Sequence, residues 1–218
     1  MQFSDSTGRA IPGSIQQVIV AGWTGRDRAA VDHHIEELAA LGVAPPSRVP
    51  LFYRVSRDLL TTEPVVEVLG TATSGEVEPL VLALDGTLWL GLASDHTDRE
   101  LEAISVAASK QACPKPVAST LWRLDDVADH VDALELSCQI EENGAWIDYQ
   151  KGSLANILPL PDLVEKAGLQ PGAAMLCGTL PAMGGVRPAQ AYRMALNDPI
   201  QNRTLTLDYS VRTLPVIA

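Results

Sequence analysis

The feature that most constrains the fold is an apolar hairpin pattern in the middle of the chain. Residues 75–84 and 87–93 form two mostly apolar runs, and Asp85-Gly86 lies between them. An Asp-Gly pair is a favoured two-residue hairpin turn, because its backbone twist matches that of the flanking strands. The pattern therefore predicts two adjacent antiparallel strands, with Leu84 opposite Thr87.

The predicted register brings three carboxylates together. Glu76 and Glu78 share a face, since strand residues two apart point the same way. Counting back from the turn places Glu78 opposite Ala93 and Glu76 opposite Asp95, and opposed residues lie about 5 Å apart at Cβ. Three such charges repel one another without a cation, and an all-oxygen site suits Mg²⁺, Mn²⁺ or Ca²⁺. The alternative is a solvated strand edge on which the glutamates are ordinary polar residues.

The rest of the chain predicts a strand-rich α+β fold. Apolar and β-branched runs predict further strands at 15–23, 49–55, 65–70, 137–141, 145–150, 174–179 and 204–211. Helical periodicity predicts helices at 27–41, 98–111 and 157–167. Hairpins, including one at Asn143-Gly144, outnumber strand–helix–strand units, so we expect mostly antiparallel or mixed sheets. Without a linker or repeat, residues 1–218 are expected to form one domain.

Composition and charge exclude several classes of function. The net charge of −11 argues against a nucleic-acid partner, whose phosphates would be repelled. No stretch approaches the roughly 20 apolar residues of a membrane span, and residues 1–13 lack a secretion signal. The three cysteines are odd in number and far apart, which suits a reducing cytoplasm rather than a disulfide framework.

Four short motifs follow one another along the chain. They are Glu76-Val77-Glu78, the Asp-x-Thr-x-Arg stretch from Asp95 to Arg99, Lys110 before Cys113-Pro114, and Gly178-Thr179. In this order they resemble the fumarylacetoacetate hydrolase family, and the similarity extends over residues 18–188. Departures such as Arg54, where a lysine is common, indicate a divergent branch of that family.

The resemblance implies a metal centre beside a substrate pocket. It implies a mixed β-sheet roll or sandwich with a few flanking helices. The implied metal is Mg²⁺, or else Mn²⁺ or Ca²⁺, held by Glu76, Glu78 and Asp95. Lys110 would act as a cation beside an enolate or as a general acid. The implied substrate-binding residues are Arg99, Gly178 and Thr179.

Each of these roles has a simpler structural alternative. Lys110 also suits the end of a helix, where its charge complements the helix dipole. Gly178 also suits a tight turn. On one continuous helix over 98–111, Arg99 and Lys110 would lie roughly 16 Å apart, too far to contact one small substrate together. We therefore expect Lys110, rather than Arg99, to contact the substrate.

A lid is implied by an earlier segment, around residues 24–56. His33 and Glu36 are neighbours on the predicted helix, because they are three residues apart. In the family such a pair precedes an extended segment like Pro50-Leu51-Phe52-Tyr53-Arg54 and would activate water or shuttle a proton. His34 and Glu37 have the same spacing, so the sequence leaves the choice between the two pairs open.

The resemblance implies a metal-dependent hydrolase or lyase acting on a small oxo-acid. Its substrate would be an acylpyruvate or β-diketo acid cleaved at a C–C bond, or a 2-oxo acid that is decarboxylated or dehydrated through a metal-stabilised enolate. The alternatives are a metal-dependent C–N or ester hydrolase on a small catabolic acid, and a non-catalytic ligand-binding protein. Family members also commonly form homodimers.

Overall fold

The computed structural model describes residues 1–40 and 44–217, without the side chains of His34, Glu37 and Leu38. The strands of this part are β1 (Phe3–Asp5), β2 (Ala10–Ile11), β3 (Gln17–Gly22), β4 (Leu51–Val55), β5 (Leu60–Thr61), β6 (Val65–Leu69), β7 (Thr73–Ser74), β8 (Val77–Leu84), β9 (Thr87–Ser94), β10 (Thr97–Asp98), β11 (Lys115–Pro116), β12 (Thr120–Arg123), β13 (Glu135–Glu142), β14 (Ala145–Ser153), β15 (Ala173–Leu176), β16 (Ala191–Asp198) and β17 (Arg203–Leu214). The α-helices are α1 (Arg28–Ala40), α2 (Arg99–Glu102), α3 (Val106–Gln111) and α4 (Leu160–Ala167). 3-10 helix covers Arg57–Leu59, Leu154–Asn156 and Leu124–Ala133, and the last of these is interrupted by the non-helical backbone of His130.

The fold is built mainly from two large mixed sheets. One has eight strands in the order β2-β1-β12-β9-β8-β15-β3-β4, and the other has five in the order β14-β13-β16-β17-β6. Most neighbours are antiparallel, while β3–β15, β1–β12 and β6–β17 are parallel. The strand-rich α+β class with mixed sheets is therefore confirmed.

The main core lies between these two sheets. Val81 and Leu90 of the eight-stranded sheet belong to the same buried cluster as Leu136 and Tyr209 of the five-stranded sheet. Alternate residues of β8, such as Leu80, belong to a second buried cluster on the other face. Because both faces of β8 are covered, its sequence is a continuous apolar run rather than an alternation.

The central hairpin has the predicted register. β8 and β9 pair with Leu84 opposite Thr87 and Glu78 opposite Ala93. One residue pair beyond the strands, the Asp95 N–H donates a 2.9 Å hydrogen bond to the carbonyl of Glu76. The turn residues Asp85 and Gly86 have φ values of 49° and 69°, as a two-residue primed turn requires. The same turn geometry joins β13 to β14.

The helix predicted over 98–111 is wrong, because the chain forms two short helices there, α2 and α3. Asp98 caps the first through a hydrogen bond from the Leu101 N–H, at 3.0 Å. Ser105 caps the second through a hydrogen bond from the Ala108 N–H, at 3.3 Å. A serine side chain that accepts from the backbone in this way favours a helix start over a helix interior.

Two other helix predictions also differ in their bounds. The stretch predicted as helix over 157–167 becomes helical only from Leu160, where α4 begins. The helix predicted over 27–41 corresponds to α1, and residues 41–43, where it was expected to end, lie outside the described part. Within that part, no helix has the length and apolar character that a membrane crossing requires.

Candidate functional site

The end of the β8–β9 hairpin places three acidic side chains side by side. The side chain of Glu76 is partly buried, with 14% exposed, whereas Glu78 and Asp95 are buried. Glu78 shares a strand face with Leu80, pointing away from the five-stranded sheet. Buried carboxylates are costly unless cations or hydrogen-bond donors compensate them, so their partners determine what this site can do.

Asp95 lies between two lysines. Lys110, in α3, donates a hydrogen bond to its Oδ2 atom. The Nζ atom of Lys115 lies 3.1 Å from its Oδ1 atom and donates to the carbonyl of His96. Burial alone would raise the pKa of Asp95, but the charges of Lys110 and Lys115 outweigh it and hold that pKa well below its ordinary value. Asp95 therefore stays ionised in the interior.

The pKa values of Lys110 and Lys115 are shifted in opposite directions. Burial acts to lower the pKa of Lys110, but the carboxylates of Asp95 and Glu78 outweigh it and raise the pKa above its ordinary value. For Lys115, burial is the largest effect and lowers the pKa, and the charge of Lys110 acts in the same direction.

The negative charge of Glu78 is less well compensated than that of Asp95. The backbone N–H of Gly178 donates a 2.7 Å hydrogen bond to its Oε2 atom. Burial, followed by repulsion from Asp95, raises the pKa of Glu78 well above its ordinary value. A cation close to Glu78 would favour its ionised form.

Glu76 is paired with Arg99 at the start of α2. The guanidinium of Arg99 lies 3.0 Å from Oε2 of Glu76, 2.8 Å from Oε2 of Glu102 and 2.6 Å from Oγ of Ser74. Burial acts to lower the pKa of Arg99, but the two glutamates raise it well above its ordinary value. Because the helix breaks after α2, Arg99 and Lys110 both reach the acidic cluster. The continuous helix from which the 16 Å separation was predicted is therefore not formed.

The chemistry of these donors fits a hard divalent cation. Oδ1 of Asp95 is buried and pairs with the ammonium group of Lys115 at 3.1 Å, but it accepts no hydrogen bond of regular geometry. A carboxylate oxygen that accepts no hydrogen bond of regular geometry is a candidate ligand for Mg²⁺ or Mn²⁺. As arranged in the described part of the chain, however, no three acidic, histidine or cysteine side chains converge to hold an ion. The assignment of Glu76, Glu78 and Asp95 as metal ligands stays a prediction.

Gly178 and Thr179 lie against the hairpin at the end of β15. Gly178 has φ of +98°, and a Cβ added there would lie 1.7 Å from Oγ1 of Thr24. The hydroxyl of Thr179 donates to the carbonyl of Val77 at 2.8 Å and accepts from Nε2 of Gln150 at 2.7 Å. These contacts bring the predicted pair to the acidic cluster, with the Thr179 hydroxyl already engaged by the protein.

The aromatic ring of Tyr53 lies next to Lys110. Its Nζ atom lies 5.8 Å from the ring centroid of Tyr53, in β4. Nε1 of Trp23 donates a 3.4 Å hydrogen bond to the Tyr53 hydroxyl, and Trp23 has φ of +61°. A positive φ is unusual for a bulky residue and is typical of functional sites. The predicted segment around Tyr53 therefore borders the site.

The predicted lid pair lies on α1. The side chains of His33 and Glu36 are exposed, unlike the buried residues around Asp95. Their proposed role in activating water stays a prediction. The alternative pair, His34 and Glu37, has side chains outside the described part of the structure.

His96 faces the opposite side of the hairpin from Asp95, as strand alternation requires. Its ring nitrogens lie 3.0 Å from the Tyr209 hydroxyl and 2.9 Å from Oγ1 of Thr73. Burial, followed by the charges of Lys115 and Arg99, lowers the pKa of His96 to about 3. His96 is therefore a neutral structural residue at neutral pH.

Sequence reasoning missed two polar residues of the site, Lys115 and Gln150. Both are fully buried. Gln150 accepts from the Val77 N–H at 2.9 Å and donates to Thr179, which ties β14 to the hairpin. Lys115 stands between two prolines in an otherwise apolar stretch, a signal that could have indicated a buried charge.

Comparison with known proteins assigns the chain to a family. The profile described as protein of unknown function (DUF2848) matches residues 21–209. The chain belongs to this family. A search of curated protein sequences finds no match.

Solved structures with the same fold come from the fumarylacetoacetate hydrolase family and similar enzymes. A protein assigned to that family, from Yersinia pestis CO92, superposes with a TM-score of 0.69 at 21% identity, covering 97% of this chain and 100% of that one. 2-Keto-3-deoxy-D-arabinonate dehydratase complexed with magnesium and 2,5-dioxopentanoate has a TM-score of 0.64 at 15% identity, covering 98% and 79%. 5-Carboxymethyl-2-hydroxymuconate delta-isomerase from Mycobacterium smegmatis has a TM-score of 0.61 at 16% identity, covering 94% and 80%. The predicted resemblance is therefore confirmed for the fold.

Proposed function

We propose that this protein is a divalent-metal-dependent enzyme that acts on a small oxo-acid. The observation that carries the proposal is the position of Glu78 and Asp95, buried side by side, with Lys110 bound to Asp95. A buried group of carboxylates and cations in an apolar fold is costly and is typical of a functional site. The reaction would be hydrolysis of a C–C bond in an acylpyruvate or β-diketo acid, or decarboxylation or dehydration of a 2-oxo acid.

The structural neighbours support an oxo-acid substrate. One of them is a dehydratase complexed with magnesium and 2,5-dioxopentanoate, and another is an isomerase of a muconate derivative. Since a shared fold does not determine a reaction, the proposal for this chain rests on its own residues.

Glu76, Glu78 and Asp95 would hold the divalent cation. When bound, such a cation supplies Lewis-acid chemistry that withdraws electron density from a substrate carbonyl. Asp95 would offer its Oδ1 atom, which makes no hydrogen bond. Arg99 holds Glu76 through a charge-assisted contact, so we assign Arg99 to positioning this ligand rather than to contacting substrate.

Lys110 would bind the anionic end of the substrate. Its ammonium group is held by Asp95 and lies beside the Tyr53 ring, so its position is set by contacts on two sides. In a water-poor pocket, a fixed ammonium stabilises negative charge that develops on a neighbouring oxygen. Its raised pKa keeps it protonated at neutral pH, which suits binding of an anion rather than proton abstraction.

His33 and Glu36 would supply the general base if the reaction is a hydrolysis. Both lie on the exposed surface of α1, so this role requires the segment to close over the site. Replacing His33 with Gln should abolish hydrolysis of an acylpyruvate and leave oxalate binding unchanged. Full hydrolytic activity in this variant would contradict the assignment.

The first experiment is thermal denaturation with Mn²⁺ or Mg²⁺, alone and with oxalate, a mimic of an enolate. We expect a rise in Tm with the cation and oxalate together in the native protein. Glu78→Gln should lose this rise, whereas Glu141→Gln, the same change at an exposed strand position, should keep it. No rise in the native protein under any of these conditions would overturn the proposal.

A substrate screen then distinguishes the reaction types. Acylpyruvates, oxaloacetate and 2-keto-3-deoxy sugar acids represent hydrolysis, decarboxylation and dehydration. We also propose that the protein forms a homodimer, which light scattering would test, and that it is located in the cytoplasm, which cell fractionation would test.

A further inference from the structure

Trp23 lies just beyond β3 in a strained backbone conformation. Its φ is +61°, a left-handed value that is an outlier for a bulky side chain. Glycine or asparagine would adopt this conformation at a lower cost in free energy. Strain of this kind persists only where the surrounding structure fixes it, and such positions cluster at functional sites. The indole ring of Trp23 therefore calls for a role beyond directing the backbone.

The contacts of Trp23 and its neighbour link this segment to the acidic cluster on two sides. The next residue, Thr24, is buried and lies against Gly178, whose backbone N–H donates to Glu78. Nε1 of Trp23 donates a 3.4 Å hydrogen bond to the hydroxyl of Tyr53. The indole ring is therefore held beside Tyr53, while the backbone that follows it packs against the cluster.

Tyr53 connects the indole ring to Lys110. Its ring packs over Gly22 across the β3–β4 pairing, where an added Cβ would lie 3.0 Å from Cε2 of the ring. The ring centroid lies 5.8 Å from Nζ of Lys110. Because the side chain of Lys110 is only 9% exposed, an anion that reaches its ammonium group must pass the residues that cover it. Tyr53 is one of these residues, and Trp23 is hydrogen-bonded to it.

Two partly buried aromatic rings beside a fixed cation favour one kind of ligand. The ammonium group binds an anionic end, and the rings offer their faces and edges to a second aromatic ring in stacked or edge-to-face geometry. Binding sites in general combine such apolar walls with a few placed polar groups. A hydroxylated or charged substituent would gain less from these rings, since it would lose its hydration without forming a ring contact.

We propose that Trp23 makes this site selective for oxo-acids that carry an aromatic substituent, which contacts the indole ring while Lys110 binds the carboxylate. Trp23 is the specificity-determining residue, and Tyr53 holds its ring in place. The inference rests on the proposed function, because it assumes that an oxo-acid binds at Lys110. It does not require a metal ion, since neither ring is a candidate ligand.

The test is calorimetric titration of the full chain with phenylpyruvate and with pyruvate, which share an anionic end and differ by one phenyl group. Both acids are titrated without Mg²⁺ and again with it, and their Kd values are compared within each condition. In the native protein, phenylpyruvate should bind about tenfold or more tightly than pyruvate, as expected from partial burial of a phenyl ring against aromatic rings. Trp23→Ala should reduce this ratio to about threefold or less and leave the Kd for pyruvate unchanged.

Two further variants separate recognition from folding. Trp146→Ala makes the same change at a partly buried tryptophan of the five-stranded sheet, where the ring stacks on Arg193, and should keep the native ratio. Trp23→Asn removes the ring but adopts the left-handed conformation with less strain, so it should lose the preference and be at least as stable as Trp23→Ala. Trp23→Asn replaces Trp23→Ala in the comparison if the alanine variant does not fold.

Equal affinity for phenylpyruvate and pyruvate in the native protein would overturn the inference and leave the proposed function standing. An equal loss of affinity for both acids in the folded Trp23 variants would also overturn it, because that pattern indicates a structural role for the ring. A third result, binding of neither acid by any of these proteins with or without Mg²⁺, would contradict the proposed function itself and the inference with it.

Discussion

The backbone N–H of Gly178 donates a 2.7 Å hydrogen bond to Oε2 of Glu78, although 100 residues separate them along the chain. This approach is possible because residue 178 has no side chain. Its φ is +98°, and a Cβ there would lie 1.7 Å from Oγ1 and 2.9 Å from Cβ of the buried Thr24. The loop after β15 therefore depends on glycine for both its conformation and its proximity to the hairpin.

Gly178→Ala should accordingly destabilise the fold by about 2 kcal/mol or more, since overpacking adds to backbone strain. The matched control is Gly144→Ala, where φ is +79° and no atom lies within 4 Å of the added Cβ. That change should lower the free energy of unfolding only by the strain of a left-handed backbone, about 1 kcal/mol. Urea denaturation measures both values, and an equal cost at the two positions would contradict the close-approach argument.

Arg99→Lys should weaken the fold by roughly 1 to 2 kcal/mol, because one ammonium cannot keep the contacts that the planar guanidinium makes with Ser74, Glu76 and Glu102. Arg28→Lys is the comparison, since its pair with Asp32 is exposed and should contribute almost nothing. Chemical denaturation of both variants measures the difference. A loss as small as that of the control would show that the Arg99 contacts do not stabilise the hairpin end.

Tyr209→Phe should lower the free energy of unfolding by about 1 to 2 kcal/mol. The buried Tyr209 hydroxyl is hydrogen-bonded to Oγ of Ser94 at 2.8 Å and to Nδ1 of His96 at 3.0 Å, and both bonds would be lost. Ser94→Ala removes only the first of these bonds and should cost less. The double variant should be less destabilised than the sum of the two single changes, since both remove the same contact. Strict additivity in thermal denaturation would argue against a direct Ser94–Tyr209 bond.

Because of Asp198, we expect the free energy of unfolding to depend on pH in the acidic range. Its side chain is fully buried, which acts to raise the pKa, but hydrogen bonds from the Gln201 N–H, His130 and Arg203 outweigh this effect and hold the pKa below 3.8. Because the folded pKa is depressed, the stabilisation is present above the unfolded value and disappears as pH falls through the folded value.

Asp198→Asn should therefore be destabilised by about 2 kcal/mol at neutral pH, where a charged hydrogen-bond acceptor is lost. The difference from the native protein should shrink below about pH 4, where Asp198 of the unfolded chain takes up a proton while the folded carboxylate still resists protonation. Urea midpoints measured from pH 7 down to pH 3 check this. A difference that stays constant over that range would rule out the linkage.

The sequence by itself determined the central hairpin and the acidic face that it carries. Asp85-Gly86 sets a turn type, the turn type sets the pairing, and the pairing places Glu76 next to Asp95. Each step is local, so it needs no knowledge of the rest of the chain. The order of the short motifs was likewise visible in the sequence and led to the correct fold.

The strand β16 was not predicted, although its sequence has the alternating pattern of a strand. Its buried residues Tyr192, Met194 and Leu196 alternate with partly or fully exposed ones, as expected of a strand with one face on the core. The break between α2 and α3 is different. It depends on whether Ser105 caps a new helix or stays within an old one, and the neighbouring contacts decide between these conformations.

Only the tertiary structure decided which charges meet. Lys115 and Gln150 reach the acidic hairpin from separate segments with no shared periodicity, so nothing in their sequence spacing predicts that they converge there. Arg99 and Gly178 were expected at the site from the family resemblance, but the contacts they make there depend on the packing. Burial itself is a property of what packs over a residue, and burial is what sets the pKa of Glu78 and the charge balance around Asp95. The hairpin register is a local geometric property, whereas the electrostatics of the site arises from long-range packing.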